Sequence, residues 1–503
     1  MTTELLRQIA DTNEWWGIAP ELLLGCCALA LLGLEIVLPR KEHRFIPHFA
    51  IAMQATILVL LLAGFYSSFE GDVTFGGLLQ HSFAGHVARV FFLLSSLLVS
   101  FLAGICLPRS KMPRVEFYHL VMVVTAAMML LVQSDHFVML FVALETVTVG
   151  FYILVGYYRD RPQTLEAGLK YLVLGALSSA LMLFGIVLLY GAVGRVVIGG
   201  TVHTGFEFAV AGDFLRAHPD NFLGLAGALL VLAGVAFKIG AFPFQVWIPD
   251  VYQGAPTPTT AFLAVASKAA GFGVLLNLTT GVFAPLHAVL VPVLSLLAAA
   301  TIIFGNLSAL TQRNAKRLMG LSGVAHAGYL LLGVVAGFTV KWAGPAVWFY
   351  LFTYLLASMA VFGVMAQLAG PDDADQELEH YEHLAKERPF LGAVLATGIG
   401  SLAGIPPLAG FLGKLLLFLA AFQAHLYGLL VVAVGGVVLS IFYYFGWIKA
   451  AFFESAVPGT APAVRPAPTP LSRTRALVLG ALAVVTVLLG LYPGPLTDWL
   501  PFN

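Results

Sequence analysis

The stretch FKIGAFPFQVWIPDVYQGAPTPTTAFLAVASKAAGF, Phe237 to Phe272, carries the features from which the fold is read. It continues an apolar run from Phe222 to about Gln253, longer than the roughly 20 residues that cross a bilayer. Proline lacks an N–H and its ring clashes with the preceding turn, so the GAFP element at Gly240 to Pro243 predicts a break inside that run. Lys238 and Lys268 stand in otherwise apolar helical sequence. There an ammonium costs about 3 kcal/mol on insertion scales, so it needs a partner or a proton-related role.

Working outward, a second long run, Pro389 to about Ala424, contains GIPP at Gly404 to Pro407 and a third such lysine, Lys414. Lys170 is a fourth, and Glu145, in FVALETVTVGFYIL, is the carboxylate available to partner them. Broken helices at matching positions in two halves point to an ion pathway near the bilayer midplane. The halves align elsewhere: GFYILVG (Gly150 to Gly156) superposes on AGYLLLG (Ala327 to Gly333). With a one-residue shift, YLVLGALSSALMLFG (Tyr171 to Gly185) then superposes on FYLFTYLLASMAVFG (Phe349 to Gly363). The unit is about five helices, and an odd number of crossings inverts the second copy. The charges do not repeat: Ser322 stands opposite Glu145 and Trp348 opposite Lys170.

Composition agrees. Hydrophobic residues make up 59% and charged residues 10%, against roughly 25% charge in a soluble domain. Mean hydropathy is +0.91. The reading is an all-α polytopic membrane protein of about 14 transmembrane helices with two inverted five-helix repeats. Its divisions are residues 1–115 (helices 1–3), 116–282 (first repeat, helices 4–8), 283–452 (second repeat, helices 9–13), and 453–503 (a Pro-rich linker and helix 14). A net charge of zero gives no reason to expect nucleic acid. The first fifteen residues carry both charge signs and no cleavage-site pattern, so the first helix is expected to act as its own targeting signal. Cys26, Cys27 and Cys106 fall in apolar runs without metal or redox spacing and are expected to be buried, inert thiols.

Basic residues set the expected orientation. Alternate loops hold Arg40, Lys41 and Arg44; Arg109, Lys111 and Arg114; Arg159 and Arg161; Arg313, Lys316 and Arg317; Lys386 and Arg388; and the stretch from Lys449 to Arg475. The opposite loops keep Arg7, Arg89, Arg195, Arg216 and Lys341. The first set is expected in the cytoplasm, which puts both termini on the periplasmic side of a bacterial inner membrane.

Phe237 to Phe272 resembles the signature stretch of the subunit N family of the bacterial proton-pumping NADH-quinone oxidoreductase, respiratory complex I. Leu165 to Gly191, Asn314 to Gly333 and GIPPLAGFLGKLLLF (Gly404 to Phe418) support it, so the resemblance covers nearly the whole chain. DVYQGAPTP followed by AVASK separates this family from its paralogues L and M, and the long lateral helix of subunit L is not expected. The loop Ser67 to Ala84 and the Pro-rich segment Val457 to Pro470 match nothing in the pattern.

The resemblance implies roles for proton translocation. Glu145 matches the glutamate that pairs with and tunes the lysine matched by Lys238, and Lys170 matches the lysine that biases that pair. Lys268 matches the central lysine joining two half-channels, and Lys414 the lysine at the far exit. It implies no cofactor in this chain, with NADH, FMN, iron-sulfur clusters and quinone in other subunits. The implied partners are the other membrane subunits (M, K, J and A-like chains) and the lipid bilayer.

Other residues keep two readings. His326 either relays protons between Lys268 and Lys414 or is a hydrogen-bonded core histidine. Asp250 caps or salt-bridges at the cytoplasmic edge rather than conducting, and Glu35 contacts a neighbouring subunit rather than pumping. Tyr443 and Tyr444 either bind waters near the exit or anchor helix 13. Pro371 to Glu387 reads as a solvated loop with a short helix, or as a subunit contact. A Mrp-type or stand-alone cation/proton antiporter would use the same broken helices, though a sodium site would want more carboxylates. A scaffold without transport would gain nothing from four costly lysines.

Overall fold

Backbone groups in hydrocarbon find no water, so each apolar run satisfies its own N–H and C=O groups as a helix. The computed structural model describes residues 10–39, 43–64, 71–110, 112–198, 201–370, 373, 376–453, 470–500 and 502. Its crossing helices begin with α1 (Ala19–Val37), α2 (Ile46–Leu62), α3 (Phe83–Cys106), α4 (Val115–Val132), α5 (Phe137–Val155) and α6 (Pro162–Val193). The seventh is split into α7a (Phe222–Ile239) and α7b (Ile248–Gly254). Then follow α8 (Thr257–Thr280), α9 (His287–Ala309), α10 (Ala315–Ala336) and α11 (Ala343–Leu368). The twelfth is split into α12a (Pro389–Ala403) and α12b (Ala409–Gln423), and α13 (Tyr427–Phe452) and α14 (Arg473–Leu491) close the series. Among the described residues twelve of these are long and apolar enough to cross a membrane, and the shorter α2 and the paired α12a and α12b bring the crossings to the fourteen expected from the sequence. Two short hairpins, Val73–Thr74 with Leu79–Gln80 and Arg195–Ile198 with Thr201–Thr204, and a helix at Phe208–Ala217 lie between crossings. Residues 457–469 of the Pro-rich segment, and Arg7, Arg40, Lys41, Lys111 and Arg465, lie outside the described residues.

Helices α8, α10 and α11 are almost wholly buried, whereas α1, α9, α13 and α14 present most of their surface outward. The centre of the bundle is therefore the group that carries Lys268 and His326. Helix association in lipid depends on close backbone approach through small residues. A Cβ at Gly185 of α6 would meet Gly227 O of α7a at 2.7 Å, and one at Gly305 of α9 would meet Ala325 N of α10 at 2.4 Å.

The two breaks are built alike. Gly240 and Gly404 end α7a and α12a at φ 73° and 85°, left-handed values that glycine adopts without a Cβ clash. Beyond each, the next N–H bonds five residues back, Ala241 to Ala236 O (2.9 Å) and Ile405 to Gly400 O (3.0 Å). Three residues further on, Phe244 N bonds Ala241 O (2.7 Å) and Leu408 N bonds Ile405 O (3.0 Å). Phe242–Pro243 and Pro406–Pro407 are cis at equivalent positions. The two breaks thus share one backbone bonding pattern, as the paired GAFP and GIPP elements predict.

Two readings of charge and polarity need correction. Arg89 is not a loop cation: it is buried inside α3, with Nε donating to Glu21 Oε1 (2.7 Å) and Nη2 to Glu21 Oε2 (3.2 Å) on α1. Gln133 donates to the same carboxylate (2.9 Å), which stands in the first turn of α1. Nor is Pro371 to Glu387 wholly solvated, since Asp373, Gln376 and Tyr381 are buried. Cys27 and Cys106 are buried free thiols as expected, but Cys26 faces outward from α1. Windowed hydropathy cannot register a partner 68 residues away, as for Arg89 and Glu21.

Candidate functional site

Lys238 lies in the last turn of α7a, where the break begins, and is buried. Its ammonium donates to Thr148 Oγ1 of α5, which in turn donates to Leu144 O (2.7 Å). Glu145 stands one turn before Thr148, half-buried, and accepts from Ser179 Oγ of α6. Glu145 and Lys238 thus share the α5 face through Thr148 and Ser179 instead of touching as a direct ion pair. Gly271 of α8 lets the two lysine-bearing helices meet, since a Cβ there would strike Ile239 Cγ2 at 2.6 Å. Gly271 lies one turn from Lys268.

Lys268 follows a π-helical segment, Leu263–Ser267, a distortion common at functional sites. Its ammonium donates to Gly323 O of α10 (2.5 Å) and lies 5.2 Å from the Tyr354 ring centroid. Lys414 of α12b donates to Leu402 O (2.8 Å) and Ala403 O (2.9 Å), carbonyls at the end of α12a that the break leaves without helical donors. The Tyr329 ring lies 5.3 Å from it. Carbonyl dipoles and aromatic faces hold both ammonium groups without a carboxylate in contact, so neither proton is pinned by a fixed opposite charge.

His326 of α10 stands between them. Nδ1 is 2.5 Å from Tyr350 Oη and Nε2 3.0 Å from Tyr444 Oη, and the imidazole centroid lies 5.0 Å from that of Tyr354. Tyr443 donates to Asn306 Oδ1 (3.1 Å), and Asn306 Nδ2 lies 3.4 Å from Tyr329 Oη, beneath Lys414. His326, Tyr350, Tyr354, Ser401 and Leu402 pack around a crevice too tight to admit a water molecule. Each hydroxyl and the imidazole can both donate and accept, which is what a proton relay requires.

Lys170 is placed differently. Its side chain is 41% exposed and pairs with Glu166 (2.7 Å) and Asp250 (2.6 Å). Asp250 also binds Arg317 (2.8 Å), so one carboxylate ties α6, α7b and α10 together at the bundle end. Lys170 is therefore not an unpartnered lysine deep in the apolar core. Glu35 lies in the last turns of α1, half-buried.

Sequence reasoning missed Thr148, Ser179, Gly323, Asn306, Tyr329, Tyr350 and Tyr354. Some had a local signal: Thr148 follows Glu145 by three residues, and Tyr350 and Tyr354 share a helix face at i, i+4. Gly323 had none, because its function is a carbonyl every residue possesses.

Residues 134–440 match the family described as NADH:quinone oxidoreductase/Mrp antiporter, TM. The chain is 60% identical over 502 residues to NADH-quinone oxidoreductase subunit N 1 of Opitutus terrae, covering 99% of each chain. It superposes on a chain of respiratory complex I from Thermus thermophilus with TM-score 0.76 and 34% identity, covering 95% of this chain and 98% of that one. A chain of the Mrp complex from Dietzia sp. DQ12-45-1b shares the fold, with TM-score 0.79 and 20% identity over 97% and 96% of the two chains.

Proposed function

From the premise that the chain belongs to the subunit N family of NADH-quinone oxidoreductase, we propose that Glu145, Lys238, Lys268, His326 and Lys414 form its proton line. The chain is an antiporter-like, proton-translocating membrane subunit that sits beside other membrane-arm subunits of the complex. The observation that carries the residue assignment is the central cluster. Lys268 and Lys414 are held by carbonyls, with His326 and five tyrosine hydroxyls or rings between them. Glu145 and Lys238 load this line through the α5 face, and the Lys170, Asp250 and Arg317 network holds its near end. A sodium antiporter reading is disfavoured because, among the described residues, Lys268 and Lys414 are bonded to carbonyls and to no carboxylate.

The chain then works as a translocase without redox chemistry of its own, with NADH, FMN, iron-sulfur clusters and quinone in other subunits. Subunits M, K, J and an A-like chain are its proposed neighbours. Arginine and lysine bias places the loops after α1, α3, α5, α9, α11 and α13 in the cytoplasm of a bacterium, and both termini in the periplasm. The proposed divisions remain residues 1–115, 116–282, 283–452 and 453–503. Comparing NADH-driven proton uptake with NADH oxidation in inverted vesicles carrying Lys268→Met tests the reading. Pumping should fail, and undiminished pumping by an assembled complex removes Lys268 from the line.

A further inference from the structure

Helix α8 begins at Thr257 in the APTP turn, and its first donors meet a carboxylate from a remote loop. Asp373 Oδ2 accepts from Thr257 N (2.7 Å), and Oδ1 from Thr257 Oγ1 (2.7 Å). The same carboxylate pairs with Lys316, at the start of α10, whose ammonium also donates to Ala255 O (2.9 Å). Both side chains are almost completely buried. The loop bearing Asp373 is fastened on both sides. Arg109 donates to Ala366 O (3.0 Å) and Ala369 O (2.8 Å) before it. After it, Ala315 N bonds Gln376 O and Leu378 N bonds Arg313 O, each at 2.8 Å.

The position of this pair relative to Lys268 gives it meaning. Lys316 and Gly323 are seven residues apart on α10, two helical turns, and so share a face. Thr257 and Lys268 are eleven residues apart on α8, close to three turns. Helices α8 and α10 are thus joined by two rungs: the Asp373 and Lys316 pair at the helix ends, and the Lys268 to Gly323 hydrogen bond in mid-membrane. The π segment Leu263–Ser267 lies between the rungs on α8. Helix ends held by a buried, fully bonded carboxylate have little freedom to slide, so the outer rung fixes the spacing on which the inner one depends.

We propose that Asp373, with Lys316, is a positioning pair: a tertiary cap on α8 that sets the α8 to α10 spacing and thereby holds Lys268 against Gly323. The proposal rests on Lys268 being a proton carrier for its effect on pumping, but not for its effect on geometry. Asp373 touches no member of the proton line, and its charge serves to balance Lys316. Asn at position 373 can still accept from Thr257 N, yet it leaves the Lys316 ammonium buried without a counter-charge.

The test uses the assembled oxidoreductase in inverted membrane vesicles. Asp373→Asn alone should lower NADH-driven proton pumping by up to about a hundredfold, the scale of a reacting group misplaced by about 1 Å. The double variant Asp373→Asn/Lys316→Met removes the orphaned charge and keeps the cap, and should return pumping to within about twofold of wild type. If the single variant fails to assemble, the double variant still decides. Wild-type pumping by the single variant, or a double variant that fails to assemble or to pump, overturns the proposal. Structures of both complexes give the separate readout. The contact between Lys268 Nζ and Gly323 O, 2.5 Å in wild type, should open in the single variant and close in the double, whether or not Lys268 carries protons.

Discussion

The ammonium of Lys268 donates to the backbone carbonyl of Gly323 at 2.5 Å, and a Cβ on Gly323 would stand only 2.9 Å from that nitrogen. The central lysine is thus held by a dipole and not by an ion, a partner that stabilises the proton without trapping it. Lys268→Met keeps the bulk of the stem and removes the titratable amine, so packing loss should stay below about 1.5 kcal/mol while pumping stops. Lys268→Arg keeps the charge but cannot release a proton near neutral pH, and should also fail. Measured pumping in both variants separates roles, because rescue by arginine would mean that Lys268 acts through fixed charge alone.

Glu145 reaches Lys238 through the α5 face, with Ser179 on its own carboxylate. Glu145→Gln retains an acceptor for Ser179 and removes the charge, so the complex should assemble while pumping and coupled NADH oxidation fall together, by about tenfold. Pumping at the wild-type rate in such a complex would take Glu145 off the pathway.

Gly404 combines a left-handed φ of 85° with a packing constraint, since a Cβ would lie 3.0 Å from Lys414 Cδ. Gly404→Ala should cost about 1–2 kcal/mol in backbone strain and push the Lys414 stem away from Leu402 O and Ala403 O. Assembly with impaired turnover is the expected result, read by blue-native gels and vesicle acidification. If turnover survives with Lys414 in place, the geometry of the break does not govern this lysine.

Arg89 and Glu21 form a buried bidentate pair between α3 and α1. Arg89→Met strands a buried carboxylate and should destabilise the subunit by about 3–5 kcal/mol, while Glu21→Gln/Arg89→Met should recover most of that loss. The amount of assembled complex in membranes reads both, and equal loss in the single and double variants would point to packing instead of charge.

Asp135, in the loop between α4 and α5, lines a polar cavity of about 530 Å³ with Gln133, Asn277 and Arg216. Burial, and secondarily the nearby Glu207, raise its carboxyl to about 6. The folded chain then binds more protons than the unfolded chain between the two carboxyl pKa values, so the stability contribution of this group falls as pH rises through that window. Asp135→Asn should therefore raise the unfolding temperature of the complex at about pH 8, with the gain shrinking toward about pH 5. A gain independent of pH would assign the effect to something other than this carboxyl.

Class, crossing number and the two breaks were legible because their causes are local. A run of about 20 apolar residues spans hydrocarbon wherever it sits, and a proline cannot donate whatever surrounds it. Gly240 and Gly404 take left-handed φ values at the ends of α7a and α12a, within a residue or two of where their motifs place the interruption. Lys238, Lys268 and Lys414 stood out for the same reason, as charges in runs with no local partner.

Partners were not legible, because they come from other helices and often from the backbone. Lys170 looked like its three counterparts in sequence and turned out half-exposed, paired with Glu166 and with Asp250 eighty residues on. Arg89, Lys316 and Asp373 looked like loop charges and turned out to be buried ion pairs. Residue type and short-range spacing settled where the chain crosses, where it breaks and which side chains are costly. Folding settled what offsets each cost, since a lysine bonded to Gly323 O or Leu402 O is answered by a carbonyl that every residue carries and only packing can aim.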